Sequence, residues 1–141
     1  MQRSPSLILG FLVLAMAIAA PAMLAQSRVE ANVPFAFVMN DQSLAAGRYE
    51  VASRGQQLAI IRSTQSGVGY FLIKSQHVQS RYVEGPKLVF NRYGDVYFLS
   101  QIWDGQGDTG IQLPRSQREK ELRLADSSFS SGPEVVIVAM K

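Results

Sequence analysis

The feature that most constrains the fold is a stretch of aromatic and β-branched residues around one glycine, KLVFNRYGDVYFLSQIWD at positions 87–104. Such residues favour strands, and a glycine between two runs of them is typical of a β-hairpin. We predict a three-residue turn over 92–94 with Gly94 in the left-handed region. This register pairs Phe90 with Val96 and makes the hairpin a central piece of an antiparallel sheet.

Successive side chains of a strand point to opposite faces, so the predicted register divides the hairpin into two faces. The first face is apolar and belongs in a core: Leu88, Phe90, Val96, Phe98, Ser100 and Ile102. The second face is only half polar: Val89, Asn91, Tyr97, Leu99, Gln101 and Trp103. An apolar sheet face normally needs a covering layer, and an uncovered one is typical of a ligand groove or a protein contact. Tyr97, Leu99, Gln101 and Trp103 are therefore the candidate contact residues, with Trp103 as anchor and Gln101 as polar partner.

Short strand patterns separated by turn residues continue along the rest of the chain. Strands are predicted over residues 28–39 with a break at Pro34, and over 47–51, 57–62, 68–79 and 111–113. One helix is indicated, from about 116 to 125, because Ser116 and Glu119 have the spacing of a capping box and Glu119 can pair with Arg123. Its thin apolar content, mainly Leu122, places it on the rim or outer face of the sheet.

The last strand is predicted over residues 134–140, EVVIVAM, an apolar run with four successive β-branched residues. Both faces of such a strand need cover, so we expect it between two neighbouring strands. The whole pattern predicts an all-β, mostly antiparallel fold. We expect a single barrel or sandwich of about eight short strands, with one short helix before the last strand.

The first 25 residues have the pattern of a signal peptide. Arg3 precedes an apolar run, Leu7–Ala20, and small residues follow. The run is shorter than the roughly 20 residues that a membrane-spanning helix needs. Cleavage is expected after Ala25, with Ala22 as the alternative. The mature chain would then be exported to the periplasm or the medium, without a membrane span.

Residues 26–141 are predicted to form one domain, long enough to bury a core without crosslinks. The sequence has no cysteine, which excludes disulfides and a lipid-modified cysteine. It carries 14 Lys and Arg against 11 Asp and Glu, a net charge of +3 that is spread along the chain. This balance is too weak to indicate a nucleic-acid partner. Three Arg-Tyr pairs do not change that view, since adjacent side chains on a strand point to opposite faces.

Several segments together resemble a recurring family of small exported bacterial proteins that has no assigned activity. These segments are PFAFV at 34–38, LAAGRYEV at 44–51, LVFNRYGDVYFLSQIW at 88–103 and LPRSQREKEL at 113–122. The resemblance covers nearly the whole mature chain and implies an exported β domain that folds independently. It brings no catalytic or ligand-binding residues. Ala45 stands where that family usually has a proline.

Motifs that carry chemistry are weak in this sequence. Gly105, Gly107 and Gly110 match GxGxxG, but no helix follows to receive a pyrophosphate. Asp104, Gln106 and Asp108 have the first spacings of a calcium loop, a weak candidate because Thr109 and Arg115 occupy the later glycine and glutamate positions. A polar hairpin loop is the alternative interpretation.

Catalytic candidates are equally few. His77 is the only histidine, and the sequence lacks the GxSxG nucleophile elbow. The acidic residues available for a hydrolytic pair lie at predicted turns, where Asp and Glu are expected for conformational reasons.

These observations favour a non-enzymatic exported binding or envelope-associated domain with no cofactor. Its partner is unidentified; an apolar small molecule and another envelope protein both fit the aromatic face. The alternatives are a structural or assembly subunit that pairs through a sheet edge and, less favoured, a small hydrolase.

Overall fold

The computed structural model describes residues 28–53, 58–67, 70–74, 76–80, 84–125 and 132–141. The predicted signal peptide and its two cleavage positions lie outside these residues. The described residues form these elements: β1 (Arg28–Val33), β2 (Phe37–Met39), β3 (Gln42–Leu44), β4 (Gly47–Ser53), β5 (Leu58–Ser63), β6 (Tyr70–Lys74), β7 (Gln76–Gln79), β8 (Lys87–Tyr93), β9 (Val96–Trp103), β10 (Thr109–Gln112), α1 (Gln117–Ala125) and β11 (Glu134–Ala139). The predicted fold class, mostly antiparallel β with one helix before the last strand, is confirmed.

The described strands form two sheets in a sandwich-like arrangement and not a closed barrel. The first sheet has the order β1-β4-β5-β6, and the second has the order β11-β8-β9-β10-β7. The short strand β2 pairs in parallel with β9 and antiparallel with β3. Strands outnumber the expectation partly because the break at Pro34 separates β1 from β2, and β2 then turns back onto β3.

The core lies between the two sheets and follows the period-two pattern of their strands. The first sheet contributes Ala31, Val33, Val51 and Ile61, and the second contributes Leu88, Phe90, Leu99 and Ile102. Phe37 joins the two sets, since its ring centroid lies 5.2 Å from that of Tyr49 and 5.3 Å from that of Phe90. Edge-to-face ring pairs of this kind add to the stabilisation from apolar burial.

The central hairpin forms where the sequence predicts it, but its register is different. Gly94 has the predicted left-handed conformation, with φ of 60°. The turn has two residues instead of three, because Tyr93 pairs with Val96. The Arg92 Nε group donates a hydrogen bond to the Gly94 carbonyl at 2.8 Å, which stabilises this tighter turn.

A bulge in β9 further changes which residues share a face. Phe90 pairs with Leu99 and Val89 pairs with Gln101, so Ser100 is left without a partner on β8. Its carbonyl instead accepts a hydrogen bond from the Leu113 N–H at 2.8 Å. An extra residue in one strand reverses the alternation beyond it. The predicted division of the hairpin into two faces is therefore wrong.

Helix α1 covers part of the outer face of the second sheet, as predicted. Leu122 packs against a second buried cluster made of Val38, Tyr93 and Phe98. The Ser116 Oγ accepts a hydrogen bond from the Glu119 N–H at 3.1 Å, which confirms the cap at the start of the helix. No helix in the described part of the chain is both long and apolar enough to cross a membrane.

The position of β11 differs from the prediction. It lies at the end of the second sheet, with β8 on one side, and not between two full neighbours. Its inner side chains Val136 and Val138 pack against the core, whereas Val135 and Ile137 on the outer face are 59% and 58% exposed. The β-branched run thus covers the core with one face only.

Candidate functional site

The four candidate contact residues do not form one surface. Tyr97 and Leu99 lie on the core side of the hairpin, where Leu99 is buried. The Tyr97 ring is stacked on Phe35, with centroids 3.8 Å apart, and the Arg92 guanidinium lies 5.4 Å from its centroid. The half-buried Tyr97 ring thus contacts two side chains of the protein itself.

Gln101 and Trp103 lie beyond the bulge and contact each other. The Trp103 Nε1 group donates to the Gln101 Oε1 at 3.0 Å, and Gln101 in turn donates to Gln112 at 2.8 Å. The Trp103 ring lies against Gly110, where a Cβ atom would approach it to 2.5 Å. Trp103 is 4% exposed. Trp103 is therefore buried and Gln101 is half-buried, and their contact with a ligand stays a prediction.

The candidate calcium loop has the hydrogen bonds of a polar turn. The Asp104 carboxylate accepts from the Gln106 N–H at 3.0 Å, and the Asp108 carboxylate accepts from the Thr109 hydroxyl at 3.3 Å. Across the described ranges, no three or more His, Cys, Asp or Glu side chains lie close enough to hold a metal ion. His77 lies on β7 and is exposed.

A buried carboxylate, Glu119, is the polar feature that the sequence did not reveal. Glu119 is 3% exposed and accepts hydrogen bonds from the Asn91 amide at 2.9 Å and from the Tyr93 hydroxyl at 3.2 Å. Arg115, and not Arg123, forms its ion pair, with a separation of 3.9 Å. Burial, the charge of Glu119 and its hydrogen bond raise the pKa of Tyr93. The cluster fixes α1 to β8.

The outer edge of β11 has no neighbouring strand at Val135 and Ile137. The hydrogen bond from the Met140 N–H to the Pro86 carbonyl, at 2.9 Å, shows which backbone groups face β8. Because these groups alternate along an antiparallel strand, those of Val135, Ile137 and Ala139 point away from β8. Within the described residues, no strand besides β8 pairs with Val135 or Ile137, whereas Ala139 adjoins the bridge between Ala31 and Met140.

The two ends of this free edge are closed by different means. Pro133 lies before β11 and has no N–H to offer. At the other end, Lys141 and Glu30 exchange backbone hydrogen bonds of 2.8 and 2.9 Å, which join β11 to β1. Ala31 and Met140 form the bridge between these strands.

An open cavity of about 230 Å³ lies beside this bridge. Its lining has two cations, one carboxylate, one amide and two small apolar side chains: Arg48, Lys141, Glu30, Asn32, Ala31 and Ala139. The C-terminal end of the free edge therefore has a net positive lining.

Comparison with known proteins returns no match: no family model, no curated protein and no solved structure is similar to this chain. The resemblance to small exported bacterial proteins stays an expectation.

Proposed function

We propose that this protein is an exported, non-enzymatic binding domain that pairs with an extended strand of another polypeptide chain along β11. The observation that carries this proposal is the outward edge of Val135 and Ile137, where no neighbouring strand is paired and both β-branched side chains are exposed. Strand addition to an open sheet edge supplies backbone hydrogen bonds, and alternate side chains supply further contacts. Of the predicted alternatives, this favours a subunit that pairs through a sheet edge over a domain that binds its partner at the aromatic face of the hairpin.

The inner face of β11 supports the proposal, because it holds the edge in place before any partner arrives. Six residues of β11 pair with β8, and Val136 and Val138 pack against the core. A partner that adds to a preformed strand loses less free energy to ordering than one that binds a mobile segment. The edge is thus suited to binding.

The burial of Trp103 supports the choice of β11 over the hairpin face. A ligand that used Trp103 as its anchor would have to displace the contact with Gly110 and the hydrogen bond to Gln101. Glu119 supports a non-enzymatic role in the same way, because its carboxylate is buried and bonded to Asn91 and Tyr93. We assign no reaction to either cluster.

The proposal is tested with a soluble, fluorescent ten-residue peptide of alternating valine and threonine. A matched peptide carries N-methyl groups at every second residue, which remove the donors along one edge. Fluorescence anisotropy should show binding of the first peptide and at least about tenfold weaker binding of the second, because strand addition depends on those donors. Hydrogen exchange should slow at Val135 and Ile137 in the complex.

Ile137→Lys is the test variant, since a lysine on an edge strand opposes addition of another strand. Gln79→Lys, at the exposed far end of the same sheet, is the matched control. The peptide should lose binding to the first variant and keep it with the second. Equal binding of both peptides, or no protection of the β11 amides, would overturn the proposal.

A further inference from the structure

The edge that β11 offers to a partner strand stops at a fixed point. Among the described residues, Val135 and Ile137 have no neighbouring strand besides β8, whereas β1 lies beside residues 139–141. A strand that adds to β11 therefore cannot continue past the level of Ile137 in the plane of the sheet. It has to end there or leave the sheet, so the protein groups at this point determine which part of a partner chain fits.

The cavity beside the bridge between β1 and β11 lies at this stopping point. Ala139 belongs to its lining and is two residues beyond Ile137 on the same strand, about 7 Å away. Asn32 of β1 and Arg48 of β4 also line it, and these two residues are paired in register. All three lining residues are exposed. A chain end that stops beside Ile137 thus lies next to the cavity.

The side chains around the cavity leave one cation without a counter-charge. Glu30 and Lys141 lie opposite each other and exchange backbone hydrogen bonds, so their opposite charges offset each other. Arg28 is paired with Glu50 at 3.2 Å. The Arg48 guanidinium, in contrast, has no hydrogen bond or ion pair with any described residue. A guanidinium can bind a carboxylate through two parallel hydrogen bonds, so a carboxylate is the group that this site favours.

We infer that the partner supplies a C-terminal strand, which runs parallel to β11 and places its terminal carboxylate in the cavity beside Arg48. This inference rests on the proposed function and adds which part of the partner chain is recognised. β11 runs from Glu134 towards Ala139 and the cavity, so a strand whose carboxyl end lies at the cavity has the same direction. In such a parallel pair, the last residue of the partner donates its N–H to the outward carbonyl of Ile137. Strand addition and capture of the carboxylate then act together.

The charges of the lining argue against the other chain end. An N-terminal ammonium would have to bind Glu30, the carboxylate of the described lining, and would then lie near the cations Arg48 and Lys141. A terminal carboxylate is charged at neutral pH and meets both cations favourably. A partner strand that continued beyond this point would leave Arg48 without a counter-charge.

The test compares two forms of the valine–threonine peptide, both labelled at the N-terminus. One has a free C-terminal carboxylate, and the other has a C-terminal amide. Fluorescence anisotropy at low salt should show about fivefold tighter binding of the carboxylate form, as expected for one exposed ion pair. High salt should reduce this difference, because exposed charges are screened.

Arg48→Gln should bind the two forms equally, and its native affinity for the amide form would show that the fold is intact. Arg48→Lys keeps the charge and should retain part of the preference. Arg118→Gln, which removes an exposed arginine from α1, is the matched control and should keep the full preference.

The possible outcomes separate the inference from the proposed function. If native protein binds both forms without preferring the carboxylate, or if the preference persists in Arg48→Gln, the inference is overturned and the proposed function stands. If native protein binds neither form, both are overturned.

Discussion

The two ends of the larger sheet, β7 and β11, differ in the side chains that they present to solvent. β7 exposes Gln76, His77 and Gln79, whereas β11 exposes Val135 and Ile137. Polar side chains on an end strand stay hydrated and oppose the addition of another strand, and β-branched side chains favour it. Of these two end strands, β11 is therefore the one whose exposed side chains favour the addition of a partner strand.

The two ends also differ in how they are held. β7 forms four residue pairs with β10, and β11 forms six with β8. The inner side chains of β11 belong to the core, through Val136 and Val138. An exposed apolar edge can therefore coexist with a firmly anchored strand, because anchoring depends on the inner face and pairing depends on the outer edge.

Phe90→Ala should have the largest effect on this comparison. Phe90 is fully buried on β8, and its ring packs edge-to-face on Phe35 and Phe37. Loss of the ring should lower the free energy of unfolding by about 3–5 kcal/mol. Because β11 is held by β8, amide exchange should accelerate more in β11 than in β7. Urea unfolding and residue-resolved hydrogen exchange measure both effects, and equal acceleration at the two ends would contradict the dependence of β11 on β8.

Glu119→Ala should come next, with a loss of about 2–3 kcal/mol. It removes the acceptor of two buried donors, the Asn91 amide and the Tyr93 hydroxyl, and leaves them unsatisfied. Glu119→Gln keeps an acceptor oxygen and should lose clearly less. If α1 loosens, the apolar residues that it covers should become exposed in addition to those of β11. Increased binding of a hydrophobic dye would detect this. Equal losses in the two variants would mean that the hydrogen bonds do not stabilise α1.

Gly110→Ala disturbs the other side of the sheet, near β7, and should cost about 1–3 kcal/mol through overpacking. The new methyl group would lie 2.5 Å from the Trp103 ring. Since Trp103 is the only tryptophan, its fluorescence emission should shift to the red. Gly107→Ala is the control: Gly107 has positive φ and no neighbour within 4 Å, so it should cost about 1 kcal/mol without changing the emission. Unchanged emission in Gly110→Ala would contradict the packing of Trp103 on β10.

The sequence predicts the class of the fold and most of its elements, because period-two alternation and turn residues act locally. The hairpin, the helix cap at Ser116 and the left-handed Gly94 all follow from such short-range signals. The register does not follow, since the bulge at Ser100 depends on a hydrogen bond from Leu113, a residue beyond the hairpin. Because of this one extra residue, Trp103 and Tyr97 lie on opposite faces of the sheet and not, as predicted, on the same face.

The candidate site shows the same limit. The run EVVIVAM predicts a strand, but burial of a strand depends on which neighbours the topology supplies, and that is not a property of the run. β1 contacts the C-terminal end of β11, through the bridge between Ala31 and Met140, and Val135 and Ile137 stay exposed. Glu119 was assigned to the helix cap, yet its carboxylate bonds Asn91 and Tyr93 on β8. A signal for this was present in β8, because Asn91 and Tyr93 are two positions apart on a strand and therefore share a face, which gives that face two groups that can donate a hydrogen bond.

Stability in alkali should report on the same cluster. Burial first, and then the charge of Glu119, raise the pKa of Tyr93, so the folded protein keeps this proton to higher pH than the unfolded chain does. Stability should be unaffected below pH about 10 and should fall as the pH rises from there towards the pKa of the folded state. Tyr93→Phe should cost about 0.5–1.5 kcal/mol at neutral pH and should reduce this alkaline loss. Urea unfolding of the native protein and of Tyr93→Phe between pH 7 and 11 measures this loss. If stability falls equally steeply with pH in both proteins, the loss does not come from Tyr93. The next candidate is then Tyr49, whose pKa is also raised by burial.

The smallest effect should come from Val135→Thr on β11, for which the same substitution at the adjacent Val136 is the comparison. Val135→Thr changes an exposed side chain on the outer face, so the free energy of unfolding should change by less than about 0.5 kcal/mol. Val136→Thr places a hydroxyl against the core and should cost about 1–2 kcal/mol. Only the first should weaken peptide binding at unchanged stability, because the outer face is where a partner strand contacts β11. Equal costs in urea unfolding would mean that the two faces of β11 do not differ, and the contrast between anchored face and pairing edge would not hold.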